Sequence, residues 1–313
     1  MFFSIIVPVY NSSDVILRCL ESIAEQNFHD YEVIIVNDGS IDESKIIIED
    51  YISDKNQFIL INKDNGGVSS ARNQGVDLSR GDYIIFLDSD DWIGKGYFEF
   101  AYNNLKFGYD GLILSYYECK GNNEKLIMND LARINDSQLD IEQLFLQCVI
   151  KNSPCDKIFK RSIYDVHQVK FPEGLSVGED ACATLQILQN ATNILAREDA
   201  FLKYQLDTNG VTKTKMTNKK LKDIINVVNI IEKSTTSKNK THSYYYNMRL
   251  IIDYYFKASK EPSVDSTLIE RETYRLVKLS DFSSVTSNKQ KLYLLVIKSL
   301  CILRILRFVS YMR

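Results

Sequence analysis

The sequence predicts an α/β fold: a mostly parallel central sheet with helices on both faces, followed by a helical C-terminal region. Three observations predict it. Short apolar runs of strand length alternate with helical patterns through about the first hundred residues, as expected of parallel strands joined by crossover helices. Each of those runs ends in polar or turn-forming residues. Beyond about Lys213 the pattern turns helical and Lys-rich.

Phe3–Val9 is apolar and β-prone, and Asn11, Ser12, Ser13 and Asp14 after it are candidate N-caps for a helix carrying Ile16, Leu17, Leu20 and Ile23. Tyr31–Val36 is a second strand, ending in the turn sequence Asn37-Asp38-Gly39-Ser40. A helix near Asp42–Tyr51, a third strand Phe58–Ile61, a Gly66-Gly67 turn, a helix near Ser69–Leu78 and a fourth strand Tyr83–Leu87 follow. Further on, Asp110–Glu118 reads as a strand and Ile141–Ile150 as a helix. Pro172-Glu173-Gly174 reads as a turn, and a helix runs from Gly178-Glu179-Asp180 to about Asn190. Ser234–Thr241 reads as a loop. The predicted boundary near 215 separates residues 1–215, with halves of about 1–95 and 96–215, from a helical region 216–313.

The length of 313 residues fits one large or two smaller domains. A formal charge of −3 gives no basic field of the kind that coats nucleic acid. The six cysteines show no C-x-x-C pairing and no metal-finger spacing, so they read as reduced core thiols of a cytoplasmic protein. The opening MFFSIIVPVYN lacks a basic n-region and suits a buried strand rather than a signal peptide. No run of 18 uncharged apolar residues is present.

Right-handed crossovers set the C-terminal ends of parallel strands along one edge, where ligands bind. That edge carries Tyr10 and Asn11, Asp38 and Ser40, Asn65 with its glycines, and Asp88-Ser89-Asp90-Asp91. Asp88 and Asp90 can bind one hard divalent cation, Mg²⁺ or Mn²⁺, together with substrate oxygens. Asp38 can accept from a nucleobase N–H or a ribose hydroxyl, or close an Asx turn or helix cap. Tyr10 can pack on a base or in the core. Asn65-Gly66-Gly67 opens a helix with Arg72, which can meet phosphate or brace an acidic site residue.

Together SIIVPVYN, IIVNDGSIDES, NGGVSSARNQG, GDYIIFLDSDDW and GED resemble the family 2 glycosyltransferases of the GT-A fold, over about residues 3–215. The resemblance implies inverting transfer from a nucleotide-sugar, most often a UDP-sugar, with a divalent metal. It implies Pro8 and Tyr10 at the base, Asp38 at the uracil, and Asn65 and Arg72 at the nucleotide. It puts Asp88 on the ribose or sugar side, Asp90 on the metal and Asp180 as catalytic base, with Glu179 its neighbour. Asn11 and Ser89 complete the expected donor site, and Asp88 shares the metal. The segment CDKIFKR around Lys157 resembles a stretch near the acceptor. Where the family often has an arginine after a Tyr-rich strand, this chain reads Lys203-Tyr204-Gln205, leaving Lys213 or Lys215 as candidates for the diphosphate.

The implied partners are a nucleotide-sugar and a glycan or lipid-linked acceptor in bacterial surface polysaccharide or lipopolysaccharide assembly, with oligomerisation left open. Two other readings compete: a nucleotidyltransferase, which would carry a Gly-rich basic loop where Tyr10-Asn11-Ser12-Ser13 stands, and a non-catalytic scaffold, which would not need Asp88, Asp90 and Asp180. Lys291–Arg313 is strongly apolar but interrupted by Lys298, Arg304 and Arg307. It reads as an interfacial helix at the inner face of the cell membrane or a helix packed on protein.

Overall fold

The computed structural model describes residues 1–133, 140–206, 214–258, 260–261, 263–265 and 267–279. The chain divides into two compact units. One comprises Met1–Ser137, Asn152–Gly174 and Gln186–Asn209; the other comprises Gln138–Lys151, Leu175–Leu185 and Gly210–Arg313.

The first unit holds the sheet. Its strands are β1 (Phe3–Val9), β2 (Tyr31–Asp38), β3 (Phe58–Lys63), β4 (Tyr83–Phe86), β5 (Trp92–Ile93), β6 (Gly111–Lys120), β7 (Asn123–Ile127), β8 (Lys157–Lys160) and β9 (Ile194–Gln205). They lie in the order β3-β2-β1-β4-β8-β6-β9-β5, with β7 pairing on β6. The block β3-β2-β1-β4 is parallel throughout. Beyond it β8 is antiparallel to β4 and β6, while β9 returns parallel to β6. With β5 and β7 antiparallel to their neighbours, β8, β5 and β7 run against the other six strands.

All residues of β1 and β2 are buried, so these strands read as continuous apolar runs rather than as alternations. Helices α1 (Ile16–Ala24), α2 (Ser44–Ile52), α3 (Val68–Leu78) and α4 (Tyr97–Leu105) follow the strands of this half. Ile16, Cys19, Leu20 and Ile23 are the buried stripe of α1, whereas Leu17, expected there, is exposed. The expected caps Asn11, Ser12, Ser13 and Asp14 do not cap this helix. It starts after Val15 without a side-chain cap, because Asn11 and Ser12 are tied to other loops of the sheet edge.

At the other end of the sheet, buried Glu32 accepts from the Ser4 hydroxyl (2.7 Å) and from the Arg80 backbone N–H, Nε and guanidinium (2.7, 2.9 and 2.7 Å). Burial alone would raise this carboxyl. The Ser4 and Arg80 bonds outweigh it and hold the group below its usual range.

The remaining helices in chain order are α5 (Ile141–Leu146), α6 (Arg161–His167), α7 (Glu179–Asn190), α8 (Asn218–Ser234), α9 (Lys240–Ala258) and α10 (Thr267–Leu279). The second unit holds α5, the first turns of α7, and α8 to α10. Its core joins Val177 to Leu221, Ile224, Met248, Ile251 and Ile269. The expected Ser234–Thr241 loop is instead a 3-10 turn, Ser237–Asn239, running into α9. Glu142 of α5 holds it by accepting from the Thr236 N–H (2.8 Å) and the Asn239 amide (2.7 Å).

Among the described residues no helix is long and apolar enough to cross a membrane. Lys213 and the Lys291–Arg313 segment lie outside the described residues.

Candidate active site

The parallel block brings the C-terminal ends of β1 to β4 together, and loops from all four interlock there. Asn11, in the left-handed region at φ 50°, donates its N–H to the Ser40 hydroxyl (3.0 Å) and accepts from the Ile41 N–H (2.9 Å). The Ser12 and Ser89 hydroxyls share a 2.7 Å hydrogen bond. Pro8 is buried within β1, and Tyr10 just beyond it is half exposed.

Asp38 ends β2 and is buried. Its carboxylate accepts from Lys63 (2.6 Å) and from the N–H groups of Gly66 (2.9 Å) and Gly67 (2.7 Å). It therefore neutralises the N-terminus of α3 rather than capping the helix that follows it in sequence. The next residue, Gly39, has φ +73°, and a Cβ there would lie 2.8 Å from the Asn65 nitrogen, so only glycine lets the two loops meet. Asn65 itself is exposed.

Asp88 to Asp91 form a tight turn between β4 and β5, with the Asp91 N–H donating to the Asp88 carbonyl (3.0 Å). Buried Arg72 donates to the Asp88 carboxylate (2.9 Å) and has Phe171 5.3 Å from its guanidinium. Of the two roles open to Arg72, the geometry is that of the brace. Arg18 lies over the Trp92 ring (3.8 Å) and donates to the Asp90 carbonyl (2.8 Å).

Asp91 is fully buried. One of its oxygens accepts from the Gln205 N–H of β9 (2.8 Å), and the other has no hydrogen-bond partner. Burial, then the charges of Asp88 and Asp90, push the Asp91 carboxyl well above its usual range. Burial and the same three carboxylates also raise the Cys19 thiol, and Tyr204 is pushed up to about 12 by burial and then by Asp91, Asp88 and Asp90.

One ligand atom each from Asp88, Asp91 and Cys155 lies within 4.8 Å of the others, a spread that a single cation can bridge. Two carboxylates suit a hard divalent ion, and the orphaned oxygen of Asp91 is the kind of buried group such an ion satisfies. Asp90, expected to be the main metal ligand, is outside this trio and half-buried beside it.

From sequence, Asp91 stands only as a neighbour of the acidic pair, Ser12, Cys155 and Gln205 fall in segments singled out for other roles, and Arg18 is not singled out. Asp91 adjoins the motif and was findable. Cys155 opens the CDKIFKR segment, but nothing local indicates that its sulfur reaches the acidic turn, since the antiparallel pairing of β8 on β4 brings it there.

Glu179 and Asp180 lie in the second unit, where they open α7 after Gly178 at φ +82°. The Gly178 backbone packs so closely on Val227 of α8 that a Cβ would lie 2.9 Å from that side chain. Lys203 is engaged by the Glu124 carboxylate and by the Tyr117 ring, 3.7 Å away. Lys215 is exposed.

Residues 4–167 match the family described as glycosyl transferase family 2. The chain belongs to that family. Among similar proteins, a poly(ribitol-phosphate) beta-glucosyltransferase of Bacillus spizizenii is 30% identical over 214 residues, covering 67% of this chain and 33% of the relative. The poly(ribitol-phosphate) beta-N-acetylglucosaminyltransferase TarP of Staphylococcus aureus is 29% identical over 202 residues, covering 63% of this chain and 60% of TarP. The chain thus spans less than two thirds of the length of these relatives. The crystal structure of S. aureus TarS 1–349 in complex with UDP-GlcNAc superposes with a TM-score of 0.73 at 20% identity, covering 96% of this chain and 88% of that one. That likeness is one of fold, the GT-A arrangement.

Proposed function

We propose that this chain transfers a sugar, with inversion, from a UDP-sugar to a hydroxyl of a glycan or lipid-linked acceptor in bacterial surface-polymer synthesis. The observation that carries this reading is the convergence of four parallel strand ends on the acidic turn Asp88–Asp91. Glycopolymer glucosyl- and N-acetylglucosaminyltransferases among the relatives, and UDP-GlcNAc in the similar structure, support the donor class.

In this reading Pro8, Tyr10, Asn11, Asp38 and Asn65 receive the nucleotide, and Arg72 fixes Asp88 toward the ribose and sugar with Ser89 beside it. Asp88 and Asp90, with Asp91 behind them, would hold a divalent cation at the acidic turn, and such an ion would supply positive charge against the departing diphosphate. Asp180, with Glu179 as neighbour, takes the proton of the acceptor hydroxyl as it attacks the anomeric carbon. Residues 1–215 are proposed as the catalytic region. Lys291–Arg313 is proposed to attach the protein to the cytoplasmic membrane face; retention of liposome binding after deletion of residues 289–313 would refute that attachment.

The test is UDP release from a panel of UDP-sugars with Mn²⁺ or Mg²⁺. Release is expected for one donor, to be abolished by EDTA and in a folded Asp90→Ala variant. Asp180→Asn is expected to bind donor and to lose turnover. Undiminished release in EDTA removes the cation from the reading, and turnover in Asp180→Asn moves the base to Glu179.

A further inference from the structure

Cys155 has no place in the reaction just described, yet the fold puts its sulfur at the acidic turn. Strand β8 pairs with β4 in the register Tyr83↔Lys160, Ile84↔Phe159 and Ile85↔Ile158. Continuing that register three residues, past the end of β4, sets Cys155 opposite Asp88. The Cys155 side chain is buried, and its sulfur lies within 4.8 Å of one carboxylate oxygen of Asp88 and one of Asp91. The independent sign of a ligand is Asp91. It is 0% exposed, it belongs to the same trio, and its second oxygen has no partner within the protein. A buried carboxylate oxygen left without a donor is costly unless a cation or proton completes it.

We propose that Cys155 is a thiolate ligand of the cation held at this turn, joining the Asp88 and Asp90 carboxylates with Asp91 beside them, in a mixed oxygen–sulfur site that favours softer ions such as Co²⁺ and Cd²⁺ over Mg²⁺. The inference rests on the reading that the acidic turn holds a cation. On binding, the thiol releases its proton to solvent and the sulfur donates an electron pair to the ion, so charge and atoms balance without an oxidant or reductant. An all-oxygen site discriminates weakly between Mg²⁺ and Mn²⁺, whereas one thiolate penalises Mg²⁺, which keeps oxygen ligands and near-ideal octahedral geometry. The residue would thereby set which ion the enzyme uses without touching the sugar.

The test is optical and uses the full chain. Co²⁺ added to the wild-type protein is expected to produce a near-ultraviolet sulfur-to-cobalt charge-transfer band. Cys155→Ser is expected to lose the band and to weaken Cd²⁺ binding by about tenfold or more, while changing Mg²⁺ binding less than about twofold. Cys19→Ser is expected to keep the band, since the Cys19 sulfur faces the Asp88 carbonyl (3.7 Å) and is outside the trio. Co²⁺ that binds stoichiometrically without a sulfur band overturns the thiolate and leaves the cation reading intact. Failure of every divalent ion to bind overturns both. The wild-type spectrum decides this even if the serine variant does not fold.

Discussion

At the scale of single residues, the site is built from side chains that hold one another rather than from side chains waiting in solvent. Arg72 is the clearest case. It is buried at 3% exposure and aimed at Asp88, and a lysine there would keep the charge but lose the planar fork. Arg72→Lys is expected to lower turnover by about ten- to a hundredfold through misplacement of Asp88, and to cost about 1–3 kcal/mol of stability. Steady-state kinetics on the donor and a denaturant titration read the two effects. Unchanged turnover in a destabilised variant would make Arg72 purely structural. Most of these residues were legible in the sequence, because turn-forming and acidic residues at strand ends leave a local pattern. Their partners were not. Nothing near Asp38 in the chain indicates that Lys63, Gly66 and Gly67 converge on it, and nothing near Asp91 indicates that the Gln205 N–H arrives from β9.

At the scale of elements, the parallel block was legible because β1 and β2 are buried along their whole length and read as largely apolar runs. The second half of the sheet was harder. β5 and β8 are two and four residues long, too short for a periodic signal, and β9 exposes Glu198 and Asp199 partway along. What locks β6 into this half is Asp110. Its carboxylate accepts from Lys160 at the end of β8 (2.9 Å), and from the Thr192 N–H (2.9 Å), the Thr192 hydroxyl (2.8 Å) and the Asn193 N–H (3.1 Å) before β9. Burial would raise this carboxyl, but Lys160 and the Thr192 and Asn193 donors prevail and hold it at about 2. Because the folded value lies below that of the unfolded chain, the stabilisation is fully present above about pH 4 and is lost as pH falls toward 2. Discounted for partial exposure, it amounts to about 1–2 kcal/mol. Asp110→Asn is expected to be less stable than wild type by that amount at neutral pH. The gap should close on acidification, as read by urea unfolding across pH; a gap that does not narrow would assign the loss to packing.

At the scale of the whole molecule, each compact unit is assembled from separate stretches of the chain. Residues 138–151 and 175–185 are grouped with the C-terminal helices, and Val177 is buried in the same core as Leu221, Ile224 and Met248. Helix periodicity reports that these helices exist but not which upstream loops they capture. The turn Gly178-Glu179-Asp180 is therefore set by α8, through the Gly178–Val227 contact. A chain truncated after residue 215 is expected to expose Val177 and Phe145, to lose ordered structure at the start of α7, and to show no transfer. Protection of the α7 amides from hydrogen exchange in the truncated chain would show that the turn stands without those helices.

The ladder between β5 and β9 has a consequence in time. Trp92 pairs with Lys203 and Ile93 with Leu202, so more than a hundred residues separate the acidic turn from the strand that fixes it. At about 5–20 residues per second of synthesis, a nascent chain carries the turn for roughly 5–20 s before β9 leaves the ribosome. During that interval the parallel block can assemble and the Asp88–Asp91 sequence can meet ions, but Asp91 lacks the Gln205 amide that orients it. The acidic turn is thus among the last features of the first unit to be completed, although the residues that give it its charge are among the first to be made.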